Sequence, residues 1–426
     1  MRLLARAAAC LAILAAHAAL AAPPASPAAT PPPRIVVAFA NPVHPAPGPA
    51  GTTGSRYGGE GYSLGQSALR QAHRVASTYA LHEVASWPIQ VLSMHCVVFE
   101  ISDGRSVAQV LSALSKDSRV VLAQPLQEFH TLTDPQPAST GGPPYNDPLY
   151  DLQTNLTALG IAQAHQRAQG AGVRVALIDT AVDTSHPDLS GRVVRKSSFL
   201  LTPASSGASL RHGTAMAGVI AAVANNHISI VGVAPLAQIE VYEACWQAAP
   251  SGAAAMCNTF TLARALAAAL ASGAPLVNLS LAGPADPLLA ALVQVGLKRG
   301  ITFVGAAAPD APFPTAIPGV ITAAGSEQAL PPGALGAPAQ HVMTLRPGGE
   351  YDFESGTSIA AAEITGVIAL LMSSSAKRLT TEDIVSALRA GPEGHAGGAA
   401  PVDVNAALTQ LDSAEGGASV AARGSP

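Results

Sequence analysis

Charge is scarce in this chain: Asp, Glu, Lys and Arg together make up 12% of its 426 residues. Hydrophobic residues reach 49%, which excludes a charge-solvated disordered chain and leaves ample material for a buried core. Neither sign of charge dominates. The net charge of -4 and pI near 6.3 supply no electrostatic footprint for nucleic acid or an anionic membrane, so neither is expected as a partner. Aromatics are only 4%, so the core has to be built from small aliphatic residues packed closely. Four cysteines are too few for a disulfide-framed scaffold. No His or further Cys stands at ligand spacing near them, so no metal site and no cofactor are expected. Beyond the N-terminus there is no stretch of about 20 apolar residues free of breakers and charges.

What is present begins with a targeting pattern. Arg2 and Arg6 precede the apolar run Ala7–Ala19, and Ala19-Leu20-Ala21 fits a small-x-small cleavage site. Residues 1–21 therefore read as a signal peptide and 22–33 as a Pro-rich leader, placing the mature, soluble protein in the periplasm or outside the cell. Cys10 falls in the signal and Cys96 in the region that follows the leader, leaving Cys245 and Cys257 for the mature chain. They flank a loop rich in Ala, Gly and Pro (Gln247–Met256), and an oxidising compartment lets them pair; two unpaired buried thiols are the alternative. A loop this short gains about 3 kcal/mol from closure.

Two regions differ in pattern. Over residues 34–130, strand-like runs at Arg34–Ala40, Cys96–Ser102 and Val120–Ala123 alternate with helical stretches at Ser67–Glu83 and Ser106–Ser115, a Gly-rich loop occupying 48–65. This predicts a small α/β unit of the ferredoxin-like kind. A polar, Pro-rich linker, 131–148, is the natural place for proteolysis. From 149 to 411, apolar runs at Val173–Ile178, Gln238–Tyr242, Leu276–Leu281, Ile301–Gly305 and Val320–Ala324 alternate with helical patterns at Gly213–Ala224, Phe260–Ala271, Pro287–Lys298 and Ser358–Met372. Buried strands separated by helices predict a three-layer αβα domain on a mostly parallel sheet, with chemistry at the carboxyl ends of its strands. Residues 412–426 are rich in Gly, Ala and Ser and read as a disordered tail.

Three residues carry chemistry. Asp179 ends the apolar strand Val173–Ile178; a carboxylate there needs a hydrogen-bond partner, such as an imidazole that requires orienting. His212 opens Arg-His-Gly-Thr-Ala-Met-Ala-Gly, where small residues let a helix pass close to its neighbours, and an imidazole at its start is suited to general-base work near neutral pH. Ser358 begins an apolar helix, where backbone N–H groups and the positive dipole end favour a developing oxyanion. Singly, each has a bland reading as a turn residue, a structural histidine or a helix cap.

The order Asp, His, Ser and the blocks around them change that. Val175-Ala-Leu-Ile-Asp-Thr-Ala-Val-Asp-Thr-Ser-His-Pro-Asp-Leu189, His212-Gly-Thr-Ala-Met-Ala-Gly218 and Gly356-Thr-Ser-Ile-Ala-Ala361 resemble the three signature blocks of subtilisin-like serine peptidases. Val231-Gly-Val-Ala-Pro235 and Val277-Asn-Leu-Ser-Leu-Ala-Gly283 are similar to further landmarks of that family. The resemblance covers about 145–410, and 34–130 is similar to the family's inhibitory propeptide. It implies a secreted serine endopeptidase, a monomer acting on proteins or peptides, with Asp179, His212 and Ser358 as catalytic triad and its own propeptide as partner. It also implies a substrate edge at Leu279, Ser280, Leu281, Ala282 and Gly283 and a facing pocket wall at Gly305, Ala306 and Ala307. Both are small and uncharged, fitting an apolar residue before the scissile bond. Similar proteins commonly bind structural Ca²⁺, for which no ligand cluster is found here.

The match has gaps. Where the family places an oxyanion-stabilising Asn, this chain has Pro309, with neither side-chain nor backbone donor. The remaining candidates for the oxyanion are the backbone N–H of Ser358 and Asp310, the latter only if protonated or shifted. Ala181 and Ala362 replace the usual Gly and Pro, Glu363 puts an acid inside the nucleophile helix, and the span 309–358 is compressed, with a surface strand of the family hard to find in it. A secreted pseudopeptidase that binds without turnover therefore stands as the alternative function. An esterase of unrelated fold lacks a Gly-x-Ser-x-Gly elbow around Ser358.

Overall fold

The computed structural model describes residues 32–41, 66–131, 145–201, 207–247, 255–390 and 400–423. The signal segment with Cys10, nearly all of the leader, the Gly-rich loop and most of the linker lie outside the described residues.

The first unit runs β1 (Arg34–Ala40), α1 (Gln66–Thr78), β2 (Leu81–Ile89), β3 (Met94–Ile101), α2 (Val107–Leu114) and β4 (Val120–Pro125). Its antiparallel sheet has the order β2-β3-β1-β4, the βαββαβ arrangement of ferredoxin-like units. The helix expected to reach Glu83 stops at Thr78, because Ala80 turns to φ 48° and the chain enters β2 at Leu81. The strands alternate between two apolar faces. Ile35, Val37, Phe39, Val97 and Phe99 pack on Ala72 and Val75 of α1 and on Val110 and Leu114 of α2. Val36, Ala38, Cys96 and Val98 turn the other way and join a core that belongs to the second unit. Burial there pushes the Cys96 thiol up to about 12.

The chain then forms β5 (Glu128–Thr131) before the second unit begins with the short helices α3 (Thr154–Ala158) and α4 (Ile161–Ala164). There follow β6 (Arg174–Asp179), β7 (Val193–Ser198), α5 (Arg211–Ala221), β8 (Gln238–Glu243), β9 (Cys245–Gln247), β10 (Ala255–Asn258) and α6 (Thr259–Ser272). Next come β11 (Leu276–Leu279), β12 (Leu281–Ala282), α7 (Pro287–Lys298), β13 (Thr302–Ala306), β14 (Ile321–Gly325) and β15 (Leu335–Ala337). The unit ends with β16 (Val342–Arg346), β17 (Glu350–Glu354), α8 (Thr357–Ser374), α9 (Thr381–Leu388) and α10 (Val404–Arg423).

Seven strands make a parallel sheet, β15-β14-β13-β11-β6-β8-β7, with helices on both faces: the expected three-layer α/β architecture. Period-two alternation assigns the faces. Val175, Leu177 and Val304 pack towards α5 and α8, whereas Ala176, Ile178 and Phe303 pack towards α6 and α7. α8 is long and apolar enough by composition to cross a membrane, but it is the central helix of this core, with 78% of the span buried.

Three expectations need correction. The strand placed at Leu276–Leu281 is broken at Ser280, where the chain leaves the parallel sheet and continues as β12 in another. The span 309–358 is not bare of strands between the parallel sheet and Ser358: it holds the β16/β17 hairpin. The tail expected to be disordered from residue 412 continues α10 as far as Arg423, and Asp412 accepts from Arg167 at 2.5 Å.

Glu363 lies fully buried in α8, where Asn155 Nδ2 donates to its Oε1 at 2.7 Å. Burial, which the Asn155 bond only partly offsets, holds its pKa well above the ordinary 4.5. The folded state thus keeps a proton that the unfolded chain releases, and stability is lost as pH rises above about 4.5. Glu363→Gln removes that linkage. Thermal melts at a series of pH values should show a Tm advantage of the variant that grows from pH 4.5 towards 8; a constant offset would contradict the buried neutral acid.

Candidate active site

Parallel pairing sets the site. β6 and β11 are neighbours with Val175 opposite Leu276 and Leu177 opposite Asn278, so continuing the register brings Asp179 level with Ser280 at the carboxyl edge. Asp179 is buried, 1% exposed. Its Oδ1 accepts from the Thr180 backbone N–H at 2.6 Å and faces His212 Nδ1 at 2.7 Å. The pair fixes the imidazole with Nε2 directed away from the carboxylate, and Nε2 has no hydrogen-bond partner among the described residues.

His212 is the second residue of α5, and the contact depends on how closely that helix approaches the turn after β6. Gly213 N–H donates to Thr180 Oγ1 at 2.8 Å. A Cβ at Gly213 would stand 2.6 Å from the Thr180 carbonyl oxygen and 2.7 Å from that of Ala181, closer than real contacts allow. The small residue after the histidine is therefore a packing requirement.

Ser358 is the second residue of α8. Gly356, just outside the helix, has φ 134° and ψ 164°, a region open essentially to glycine alone, which explains the glycine of Gly-Thr-Ser. The first turn of the helix aims its N–H groups at the space in front of it. Ser358 Oγ donates to the Ser280 carbonyl at 2.9 Å, and the Ser280 hydroxyl lies 3.0 Å from the Ser358 carbonyl oxygen. Asn278 Nδ2 donates to Thr365 Oγ1 at 2.8 Å and to the Ala361 carbonyl at 3.2 Å, tying β11 to α8 beneath the serine. The hydroxyl thus points at Ser280 in this structure rather than at His212.

The expected substrate edge and pocket wall also meet. Leu279 pairs with Gly305, after which the two chains separate. Ser280, Leu281, Ala282 and Gly283 line one side and Ala306 and Ala307 the other, all buried. They rejoin at Phe313, which exchanges two backbone hydrogen bonds with Gly283 (3.1 and 3.0 Å) and closes the far end of the gap. No sequence signal pointed to Phe313.

A second sheet, β12-β5-β10-β9, runs beside this gap. β5 is its inner strand, antiparallel to β12 (Leu281 opposite Thr131) and to β10 (Cys257 opposite Phe129). The end of the first unit therefore lies as an extended strand along the edge that leads to Ser280. The Gln247–Met256 loop read from sequence hid β10, whose first residues are Ala255 and Met256. Cys245 and Cys257 form a disulfide between β9 and β10.

Two further residues were missed. Arg211, adjacent to His212, pairs with Glu354 at 2.7 Å and with Asp352 at 3.4 Å, bracing the start of α5 against the strand that leads into α8. The signal available was weak: an isolated Arg and Glu flanking two motifs. Pro309 and Asp310 sit in an exposed turn, and Asp310 makes no hydrogen bond among the described residues, so nothing in its geometry joins it to Ser358. No group of three His, Cys, Asp or Glu side chains converges as a metal site among the described residues.

Comparison with known proteins follows from this geometry. The sequence profile of the subtilase family matches residues 170–329 and 319–390, together just over half of the chain. Thermitase from Thermoactinomyces vulgaris is 30% identical over 245 residues, 54% of this chain and 85% of that protein. Subtilisin NAT from Bacillus subtilis subsp. natto is 30% identical over 225 residues, 48% of this chain and 56% of that protein. Among solved structures, fervidolysin from Fervidobacterium pennivorans, a keratinolytic enzyme related to subtilisin, superposes with a TM-score of 0.68 at 21% identity. That match covers 89% of this chain and 61% of that one, and at such identity it speaks for the fold. This chain thus spans most of thermitase but under two thirds of the other two.

Gly213→Ala should keep the fold at a cost of about 1–3 kcal/mol from overpacking while moving α5 off the Thr180 turn. A displacement near 1 Å at His212 lowers reactivity by about 10²-fold. A thermal melt beside a rate measurement checks this; unchanged activity would mean that the close approach does not set the His212–Asp179 contact.

Proposed function

The chain belongs to the subtilase family of serine peptidases, and from that premise we propose that it is an exported serine endopeptidase, made as a proenzyme and processed by its own active site. The observation that carries the reading is the buried Asp179–His212 contact at 2.7 Å, level with Ser280 and the helix start that bears Ser358. Rotation about χ1 of Ser358 turns its hydroxyl from the Ser280 carbonyl towards His212. Ser358 Oγ then attacks the substrate carbonyl carbon as its proton passes to His212 Nε2. Asp179 Oδ1, accepting from Nδ1–H, fixes the tautomer that leaves Nε2 able to take that proton and stabilises the imidazolium. The tetrahedral oxyanion is met by the Ser358 N–H at the start of α8. Collapse breaks the C–N bond, and the amine leaves with the proton from Nε2. Water, deprotonated by His212, then attacks the acyl ester, and the carboxylic acid departs as Ser358 regains its proton.

Residues 34–130 act as the inhibitory propeptide in this reading, supported by β5 lying in the antiparallel slot between β12 and β10 that an extended substrate needs. Processing falls just beyond Thr131, within 131–148. An apolar residue before the scissile bond suits the small, uncharged walls at 280–283 and 305–307. Export is supported by the Cys245–Cys257 disulfide, which needs an oxidising compartment to persist.

One observation favours a second reading, a pseudopeptidase that binds peptides without turnover: Pro309 leaves the oxyanion short of a side-chain donor. The first experiment compares the secreted chain with Ser358→Ala on denaturing gels with N-terminal sequencing. Loss of about 100 or more N-terminal residues in the wild type alone establishes the self-processing peptidase. Identical products from both chains would overturn it in favour of the binding module.

A second prediction addresses the gap itself. One oxyanion donor is worth about 10²–10³ in turnover. Pro309→Asn should raise kcat on a peptide amide by at least about tenfold with KM little changed; no rise would mean that the loop does not face the reacting carbonyl.

A further inference from the structure

We infer that the Cys245–Cys257 disulfide is a positioning element for extended substrates: it holds β10, the outer of the two edges between which a substrate strand lies. This rests on the peptidase reading for its kinetic consequence, and on the pairing pattern for everything else.

β10 has two neighbours. On one side it pairs with β5 through Met256–His130, Cys257–Phe129 and Asn258–Glu128. On the other it pairs with β9 through Ala255–Gln247, Met256–Trp246 and Cys257–Cys245. Among the described residues β9 is the end strand of this sheet, next to β10. While β5 is in place the sheet has four strands. Once β5 leaves the slot, β10 is left as one half of a two-stranded ribbon three residue pairs long, and such ribbons are marginal in water. An edge that must pair with each incoming peptide cannot depend on the peptide to hold it in place.

The disulfide supplies the fixed attachment. Cys257 stands directly opposite Cys245, and both are fully buried. Cys245 is one residue past Ala244, whose N–H donates to the Asp179 carbonyl at 2.9 Å. The disulfide therefore ties the substrate edge to Ala244, which is hydrogen-bonded to the strand that carries the catalytic acid. The other end of β10 is fixed differently: Asn258 caps α6 by accepting from the Thr261 N–H at 3.0 Å. The two anchors are adjacent residues, and both belong to the stretch of β10, Met256–Asn258, that faces β5. Both anchors lie on β9 and β10, apart from α5 and α8, which carry His212 and Ser358, so their loss weakens the binding of long substrates and leaves the chemistry at the serine unchanged.

The test uses two readouts. In the full-length chain carrying Ser358→Ala, backbone hydrogen exchange is followed with the disulfide intact and with Cys245→Ser and Cys257→Ser added. Removing the bond should speed exchange at Phe129–Thr131 and Met256–Asn258 by about tenfold or more and leave β6 and β11 unchanged. Unchanged exchange in β5 and β10, or equal acceleration throughout the parallel sheet, overturns the inference. Should the serine pair not fold, Cys245→Ala with Cys257→Val keeps the site apolar and serves in its place. In the processed enzyme, kcat/KM for a blocked tetrapeptide amide should fall about tenfold through KM, while an acetylated single-residue ester stays within about twofold. Equal losses on both substrates count against a positioning role. If the wild type cleaves neither, the peptidase reading fails, and the exchange measurement still decides the role of the disulfide.

Discussion

The register between two neighbouring parallel strands is the constraint on which the rest of the site depends. Because β6 and β11 run side by side, Asp179 and Ser280 end level at the carboxyl edge. Everything else is brought to that line. α5 closes on the Thr180 turn through a glycine and delivers His212; α8 is tied down through Asn278 and delivers Ser358 to the Ser280 carbonyl. Helices connecting parallel strands start or end at this edge, so dipole ends, strand ends and loops gather there without special adjustment. The departures from regular structure lie at the same place: the break at Ser280 and the glycine-only conformation at Gly356.

The two units share more than a boundary. Val36, Ala38, Trp87 and Val98 on one face of the first sheet pack into the cluster that holds Phe260, Leu288 and Leu289 of α6 and α7. Trp87 meets Phe260 edge-on at 4.7 Å between ring centroids. Gln127 and Thr259 exchange hydrogen bonds, and Gln124 Oε1 accepts from the N–H of Leu288 at the start of α7. A four-stranded sheet apolar on both faces gains its stability by covering the second face, here with the helices that flank the site. The benefit runs in both directions. The seven-stranded parallel sheet draws its pairings from residues far apart in sequence, which makes it slow to form. If the first unit acts as the proposed propeptide, a preformed surface that gathers α6 and α7 would shorten that search. The strand leaving the surface, β5, then fills the cleft as a direct consequence of where the surface docks.

How much of this was visible in the sequence depended on whether a residue's role is local. The alternating apolar strands and helices, and with them the three-layer architecture, follow from periodicities of 2 and 3.6 that burial imposes on adjacent residues. Asp179, His212 and Ser358 were legible because each is embedded in small residues whose reason is equally local: Gly213 for close approach, Gly356 for its backbone angle. The cysteine pair was legible as two thiols flanking a short loop. What stayed hidden involves pairing between distant segments. β5 and β10 are four-residue strands without apolar alternation, defined by one another. Phe313 matters because it bonds to Gly283, and Arg211 because it reaches Glu354, 143 residues away. The first residues of β2, Leu81–Glu83, were absorbed into a helix, and only the turn at Ala80 decides the matter.

The missing oxyanion donor bears differently on the two reactions asked of this site. Cleavage of a free protein has to bring substrate and serine together and then stabilise the oxyanion, so it feels the whole loss at Pro309, about 3–4 kcal/mol. Cleavage of the chain's own linker starts from a strand already paired on both sides within the cleft. Holding reactants in place is worth up to about 7–11 kcal/mol in well-oriented intramolecular reactions. In the proposed proenzyme the second figure exceeds the first, which leaves room for a single self-cleavage even with slow turnover of other proteins. On the proposed reading, maturation and proteolytic turnover are separate properties. A processed N-terminus reports that Ser358 is chemically competent, and the rate on a free peptide reports what the loop at 308–311 contributes. In such a protein the disulfide-held edge gains importance: with weaker stabilisation at the reacting carbonyl, a larger share of the selectivity has to come from the strand pairing that extends away from it.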